Sequence, residues 1–196
     1  KTNFIIDKNN FTIEQETKYP WAGSVKFKIS TKNTVDFNFK IRIPGWANNQ
    51  PVPSDLYSYL NESQKQVHLF INNKPVEIET SNGYISIQKN WKEGDVVELV
   101  LPMEVRKVVP HENVKEIAGK IAIERGPIVY CAEQVDNPDG VLNKTVSLET
   151  QFKSNFESKT LDGIVKLESE EGLKMVPYYS WSHRELGEMA VWFRME

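Results

Sequence analysis

The sequence predicts an all-β protein of the β-sandwich type, as one large domain or two small sandwiches. Three observations predict it. First, Val35, Phe37, Phe39, Ile41 and Ile43 alternate with Asp36, Asn38, Lys40 and Arg42. A period of two puts the apolar side chains on one face and the charges on the other, as in a half-buried strand. Second, the pattern recurs at intervals of about ten residues between Gly, Pro and Asn, the rhythm of a sandwich. Third, no stretch carries a sustained helical period.

The elements follow in order. Phe11–Thr17 alternates with a polar bias and leads into a turn-rich connection, Tyr19-Pro-Trp-Ala-Gly23. Ser24–Ile29 alternates again, with Val25, Phe27 and Ile29 inward. The strand at 35–43 stops at Pro44-Gly45, because proline lacks a donor and glycine accepts turn geometry. Ala47–Lys65 is a polar insertion in which Ser54–Leu60 is expected to form a short helix capped by Ser54. Val67, Leu69 and Ile71 mark the next strand. Asn72–Pro75 turns the chain, and Val76–Glu79 returns as a hairpin. Asn82-Gly83 precedes a strand at Tyr84–Gln88, and Val96–Leu101 is strongly apolar.

Arg106–Ala118, with Pro110 and scattered charges, reads as a boundary between modules. Beyond it, strands are expected at Lys120–Glu124 and Ile128–Glu133. Further ones are expected at Val146–Leu148, Ile164–Leu167, Leu173–Val176 and Met189–Phe193. Residues 149–172 are polar and give the weakest pattern.

Composition narrows the function classes. A chain of 196 residues buries roughly 70% of its unfolded surface, so it needs no disulfide or metal staple. The net charge is −3 with no basic block, so no nucleic-acid partner is expected. No apolar run approaches a membrane span. Cys131 is the single cysteine, which excludes an internal disulfide and a multi-cysteine metal site. The apolar part of the N-terminus is too short for a signal peptide, and no Met begins the chain. It reads as a piece of a longer polypeptide, for which a periplasmic or extracellular location is expected.

Candidate chemistry is sparse. His68, His111 and His183 share no helical face or close spacing, so each reads as solvent-facing or structural. Cys131 alternates with Val129 on an apolar strand and reads as a small hydrophobe rather than a nucleophile. The carboxylates Glu14 and Glu16, Glu168 and Glu170, and Glu185 and Glu188 are spaced as solvated faces. None is marked as the acid/base pair that glycoside hydrolysis needs. Trp21, Trp46 and Trp91 lie near turns, where they either close sandwich ends or form a platform. Asn10-Phe-Thr12, Asn61-Glu-Ser63 and Asn143-Lys-Thr145 match the glycosylation pattern. Val176-Pro-Tyr-Tyr-Ser-Trp-Ser-His-Arg184 gathers three aromatics, a histidine and an arginine. Tyr178, Tyr179 and Trp181 read either as packed rings with satisfied polar tips or as a carbohydrate-binding surface.

Six phrases together carry a family resemblance. They are Gln15–Gly23, Ile41-Arg-Ile-Pro-Gly-Trp-Ala47, Trp91-Lys-Glu-Gly-Asp95 running into Leu99–Met103, Glu124-Arg-Gly-Pro-Ile-Val-Tyr-Cys-Ala-Glu133, Val176–Trp181 and Gly187–Phe193. In this order the chain resembles the C-terminal β-sandwich region of the β-L-arabinofuranosidase family of glycoside hydrolases, family 127. The resemblance implies an N-terminal (α/α)6 catalytic barrel in the same polypeptide, followed by two sandwiches. It implies a cysteine nucleophile held on zinc by three cysteines and a glutamate, with a second glutamate as acid/base. None of those residues transfers to this chain, so no zinc or other cofactor is expected in it. The resemblance also implies two β-sandwich, jelly-roll-like domains: residues 1–104 and 187–196 form the first, with 105–186 inserted as the second.

The function expected is therefore a non-catalytic accessory region that supports the barrel, with a homodimer as a possible assembly. The alternative is a free-standing carbohydrate-binding module using Tyr178, Tyr179 and Trp181 on plant-type glycans. A third reading is an independent hydrolase using surface carboxylates or Cys131.

Overall fold

The computed structural model describes residues 1–6 and 8–196. Among them the chain is strands, turns and four short 3-10 segments, with no α-helix. None of the helical segments is long and apolar enough to cross a membrane. The chain divides into two units, one of residues 1–48 and 63–103, the other of 49–62 and 104–196.

In the first unit, β1 (Thr2–Ile6), β2 (Asn9–Thr17), β3 (Ser24–Thr31) and β4 (Val35–Arg42) follow one another. The chain then lends β5 (Tyr57–Tyr59) to the second unit. It returns with β6 (His68–Ile71), β7 (Lys74–Val76), β8 (Thr80–Ser81), β9 (Tyr84–Trp91) and β10 (Val96–Val100). One sheet runs β1-β2-β3-β10-β6-β7 and the other β4-β9-β8. The alternation read in β4 is realised: Val35 and Ile41 are buried, Phe37 and Phe39 half-buried, and Asp36, Asn38, Lys40 and Arg42 exposed.

The core draws Phe11, Ile29, Leu69, Val97 and Leu99 from the larger sheet, and Ile41, Ile85, Ile87 and Trp91 from the smaller. Trp91 is fully buried, its indole N–H donating to the Phe37 carbonyl at 3.0 Å. Phe11 meets Phe37 edge-on at 4.7 Å between centroids, and Phe27 meets Phe39 at 5.3 Å, the geometry that aromatic quadrupoles favour. Trp91 is thus a core residue, not part of a platform. Asn82 and Gly83 both take positive φ between β8 and β9, as a two-residue hairpin turn requires.

In the second unit the strands are β11 (Val105–Pro110), β12 (Lys120–Arg125), β13 (Ile128–Glu133), β14 (Thr145–Val146), β15 (Phe152–Glu157), β16 (Ile164–Ser169), β17 (Lys174–Pro177), β18 (Met189–Ala190) and β19 (Phe193–Met195). The main sheet path runs β14-β19-β12-β13-β17-β16-β15. Strand β11 pairs with β12 and β5, and β18 with β13. Ile121, Ile123, Tyr130, Cys131, Ile164, Leu167, Met175 and Phe193 are buried along it.

Two expectations are corrected and a third is refined. Residues 187–196 do not complete the first sandwich: β19 pairs with β12 through Ile121 and Phe193, and in parallel with β14. Burying Phe193 and joining the β12 edge decides the matter, and neither is a local property. Ser54–Leu60 is not a helix. Tyr57 and Tyr59 alternate on β5, which pairs with β11, and Tyr57 stacks on Trp192 at 5.7 Å. The Ser54 hydroxyl accepts from the Leu56 N–H in a local turn instead. The stretch at 106–118, expected as a boundary, opens with strand β11, whose backbone is satisfied by neighbours on both sides, and the two units part just before it, at 103/104.

Asp95 shows how a charge is kept in a sandwich edge. It is 7% exposed and accepts from Asn72 Nδ2 at 2.7 Å, Lys89 Nζ at 2.5 Å and the Lys92 N–H at 2.9 Å. Burial pushes its pKa up, but the hydrogen bonds from Asn72, Lys89 and Lys92 outweigh this and leave it below the usual carboxylate value. A depressed folded pKa adds stability above the unfolded value, which is lost as pH falls through the folded one. Asp95→Ala is expected to cost about 2 kcal/mol near neutrality. The cost shrinks as pH drops below the ordinary value of 3.8, as urea unfolding at graded pH will measure.

Gly23 faces a different limit. A Cβ there would lie 2.0 Å from the Leu101 carbonyl oxygen. Gly23→Ala is therefore expected to lower stability by at least about 1–3 kcal/mol in the same assay.

Candidate functional site

The richest group of exposed aromatic side chains follows β17. Pro177 ends that strand, and Tyr178–Ser180 makes one 3-10 turn closed by the Trp181 N–H donating to the Tyr178 carbonyl. Ser180 is buried, and its hydroxyl donates to the Pro177 carbonyl at 2.7 Å. That bond leaves the neighbouring side chains facing out. Tyr178 is 44% exposed, Tyr179 57% and Trp181 41%, so the expected core-packed reading of these rings does not hold. Tyr178 and Trp181 stack near-parallel, 6.3 Å between centroids and 22° between planes.

The turn is tied down by charge. Ser182 has φ of 65°, which redirects the chain, and its N–H donates to Glu133 Oε1 at 3.0 Å. Arg184 then reaches the same carboxylate, with Nη2 2.6 Å from Glu133 Oε2. It also forks onto Asp136, Nη1 to Oδ1 at 2.8 Å and Nη2 to Oδ2 at 2.6 Å. Bidentate pairing of this kind fixes geometry as well as charge. The hydrogen bonds from Arg184 to Asp136 and Glu133 hold the guanidinium above its usual range despite partial burial. Glu133 is only 4% exposed, so its charge depends on Ser182 and Arg184 for compensation.

A second polar group sits around β5. Tyr59 donates to Glu124 Oε2 at 2.9 Å, and the Arg106 guanidinium lies 3.5 Å from the Tyr59 ring centroid. Arg106 also donates to the Asn61 carbonyl. Burial raises the Glu124 carboxyl above its ordinary value. It faces a phenol and an arginine rather than a second carboxyl, so the arrangement clasps the 49–62 segment and lacks the paired acid and base of a hydrolase.

The other expected chemistry is dispersed. Cys131 is buried on β13, and burial, with Glu133 nearby, pushes its thiol up to about 12. His68 and His183 are exposed and His111 is half-buried, its Nδ1 accepting from the Asn113 N–H. Glu16 pairs with Lys28 at 2.5 Å, while Glu188 accepts from the Val141 and Leu142 N–H groups. No group of three or more His, Cys, Asp or Glu suited to a metal ion occurs among the described residues. A thiolate zinc centre does not fit a chain whose one cysteine is enclosed and protonated. The three acceptor asparagines, Asn10, Asn61 and Asn143, are exposed.

Sequence reasoning found the three rings but missed Glu133, Asp136, Tyr59 and Glu124. No local signal pairs Arg184 with carboxylates some fifty positions earlier.

Residues 1–103 match the model of the beta-L-arabinofuranosidase GH127 middle domain. Residues 105–194 match that of the glycoside hydrolase family 127 C-terminal domain. The chain belongs to glycoside hydrolase family 127. It is 30% identical over 217 residues to the non-reducing end beta-L-arabinofuranosidase of Bifidobacterium longum subsp. longum, covering 95% of this chain and 30% of that protein. Among solved structures it superposes on a GH127 beta-arabinofuranosidase with a TM-score of 0.92 at 37% identity, covering 99% of this chain and 33% of that one. It also superposes on a GH127 beta-L-arabinofuranosidase from Geobacillus stearothermophilus with a TM-score of 0.86 at 30% identity, covering 100% and 32%. The chain thus spans about a third of the length of these family 127 relatives.

Two outcomes are expected of this region. At about pH 8, iodoacetamide should leave Cys131 unmodified in the native protein and alkylate it rapidly in urea, as mass spectrometry will show. Arg184→Ala should cost about 3 kcal/mol in denaturant unfolding, because it strands Glu133 in a buried setting. Arg184→Lys should recover only part of that, since an ammonium cannot fork.

Proposed function

We propose that this chain is the non-catalytic, accessory β-sandwich region of a glycoside hydrolase acting on arabinofuranosides. In this reading the catalytic domain lies elsewhere in the same polypeptide and the sandwiches support it. One observation carries the reading: the chain corresponds to the middle and C-terminal domains of the family and to only about a third of relatives named as arabinofuranosidases. The chemistry of its side chains agrees. Glu16 pairs with Lys28, Glu188 accepts backbone hydrogen bonds, Glu124 meets Tyr59, and burial pushes the Cys131 thiol up to about 12. The zinc and the reactive cysteine that the family resemblance implies would then belong to the catalytic domain.

The test is hydrolysis of an aryl β-L-arabinofuranoside. The 196-residue chain is expected to give no turnover above buffer, while the polypeptide extended to the length of its relatives hydrolyses it. Turnover by the chain alone, lost in Cys131→Ala or in a Glu124→Gln variant, would refute the proposal.

A further inference from the structure

Resting on the reading that a catalytic domain shares the polypeptide, we infer that the turn from Tyr178 to Leu186 is the surface on which that domain docks. Four large side chains stand out from this one short loop: Tyr178, Tyr179 and Trp181, each about half exposed, and Leu186, whose relative exposure is 104%. A lone exposed apolar residue is ordinary, but a cluster marks a contact surface. Tyr and Trp are also the residue types that dominate the energetics of protein interfaces.

The loop is held as an interface anchor would be. Ser180 bonds the Pro177 carbonyl, the Ser182 N–H bonds Glu133, and Arg184 is clamped between Glu133 and Asp136. The same bonds that compensate the buried Glu133 charge hold the loop in one conformation. A surface already rigid loses little freedom when a partner seats on it, and that saving appears as affinity.

The occupant follows from the chemistry and from the relatives. Tyr178 and Trp181 stack on each other, so part of each ring face is already covered, which limits the open faces a sugar ring would need. Leu186 adds an aliphatic side chain with no hydrogen bond to offer a polyol. Rings with hydroxyl and indole tips and an exposed leucine in the same loop suit a protein face of mixed polarity. Most of the length of each family 127 relative lies outside the part matched here, so in this reading the polypeptide has a further domain to seat on the loop.

The experiment is hydroxyl-radical footprinting of the 196-residue chain and of the extended polypeptide, read by mass spectrometry. Tyr178, Tyr179, Trp181 and Leu186 are expected to oxidise several-fold more slowly in the extended polypeptide, with Phe156 and Leu161 as exposed controls. The double variant Trp181→Ala, Leu186→Asp should leave the unfolding midpoint of the 196-residue chain nearly unchanged, yet lower that of the extended polypeptide. Equal oxidation in the two forms overturns the inference. So does protection of these residues in the short chain by arabino-oligosaccharides, which assigns the loop to sugar. Protection that rises with the short chain's own concentration also overturns it, by assigning the loop to a second copy. An extended polypeptide that is active but leaves the rings open refutes the docking surface alone; one that is inactive on arabinofuranosides removes the proposed function as well.

Discussion

The long strands of the first unit, β2, β3, β4, β9 and β10, each have one face that water rejects, and stacking two sheets is what removes it. Burial of apolar area is worth roughly 25 cal/mol per Å², so a face of Val, Ile and Phe cannot be left open. The six-stranded and three-stranded sheets meet through Phe11, Leu69, Val97, Ile87 and Trp91, and the remaining geometry follows. Trp91 must find a partner for its indole N–H inside that layer and takes the Phe37 carbonyl. Asp95 must keep its charge at the margin of the layer and is wrapped by Asn72, Lys89 and the Lys92 backbone.

The second unit solves another problem. Its sheet buries aliphatic side chains and Cys131, yet at the end of β13 it also carries Glu133. An enclosed carboxylate is tolerable only with charge-assisted partners. Those partners come from the loop after β17, so compensating one buried charge also fixes the loop that presents Tyr178, Tyr179 and Trp181. The energetics of the interior and the form of the surface are linked there by a single arginine.

The supporting role proposed above draws on membership of family 127 and on the side-chain chemistry of the second unit. The Cys131 thiol is shielded and pushed up by burial, and the Glu124 carboxyl, also raised by burial, is engaged by Tyr59. These are groups spent on holding strands together. The Tyr59–Glu124–Arg106 contact is a case in point, because it fastens a segment that leaves the first unit between β4 and β6 and pairs in the second.

The amino-acid pattern by itself determined the β character, most strand positions and the place of Cys131 on a buried strand, because each depends on alternation and composition over a few neighbours. Val35–Arg42 and Ile128–Glu133 are legible for that reason. It also exposed the cluster of rings after Pro177, but not whether they face in or out. Tertiary structure decided the pairing of Phe193–Met195 with β12, the strand at Tyr57–Tyr59 and the Glu133–Asp136–Arg184 clamp. Each joins residues far apart in the chain, and the free energy that selects them comes from edges paired and charges compensated across that distance.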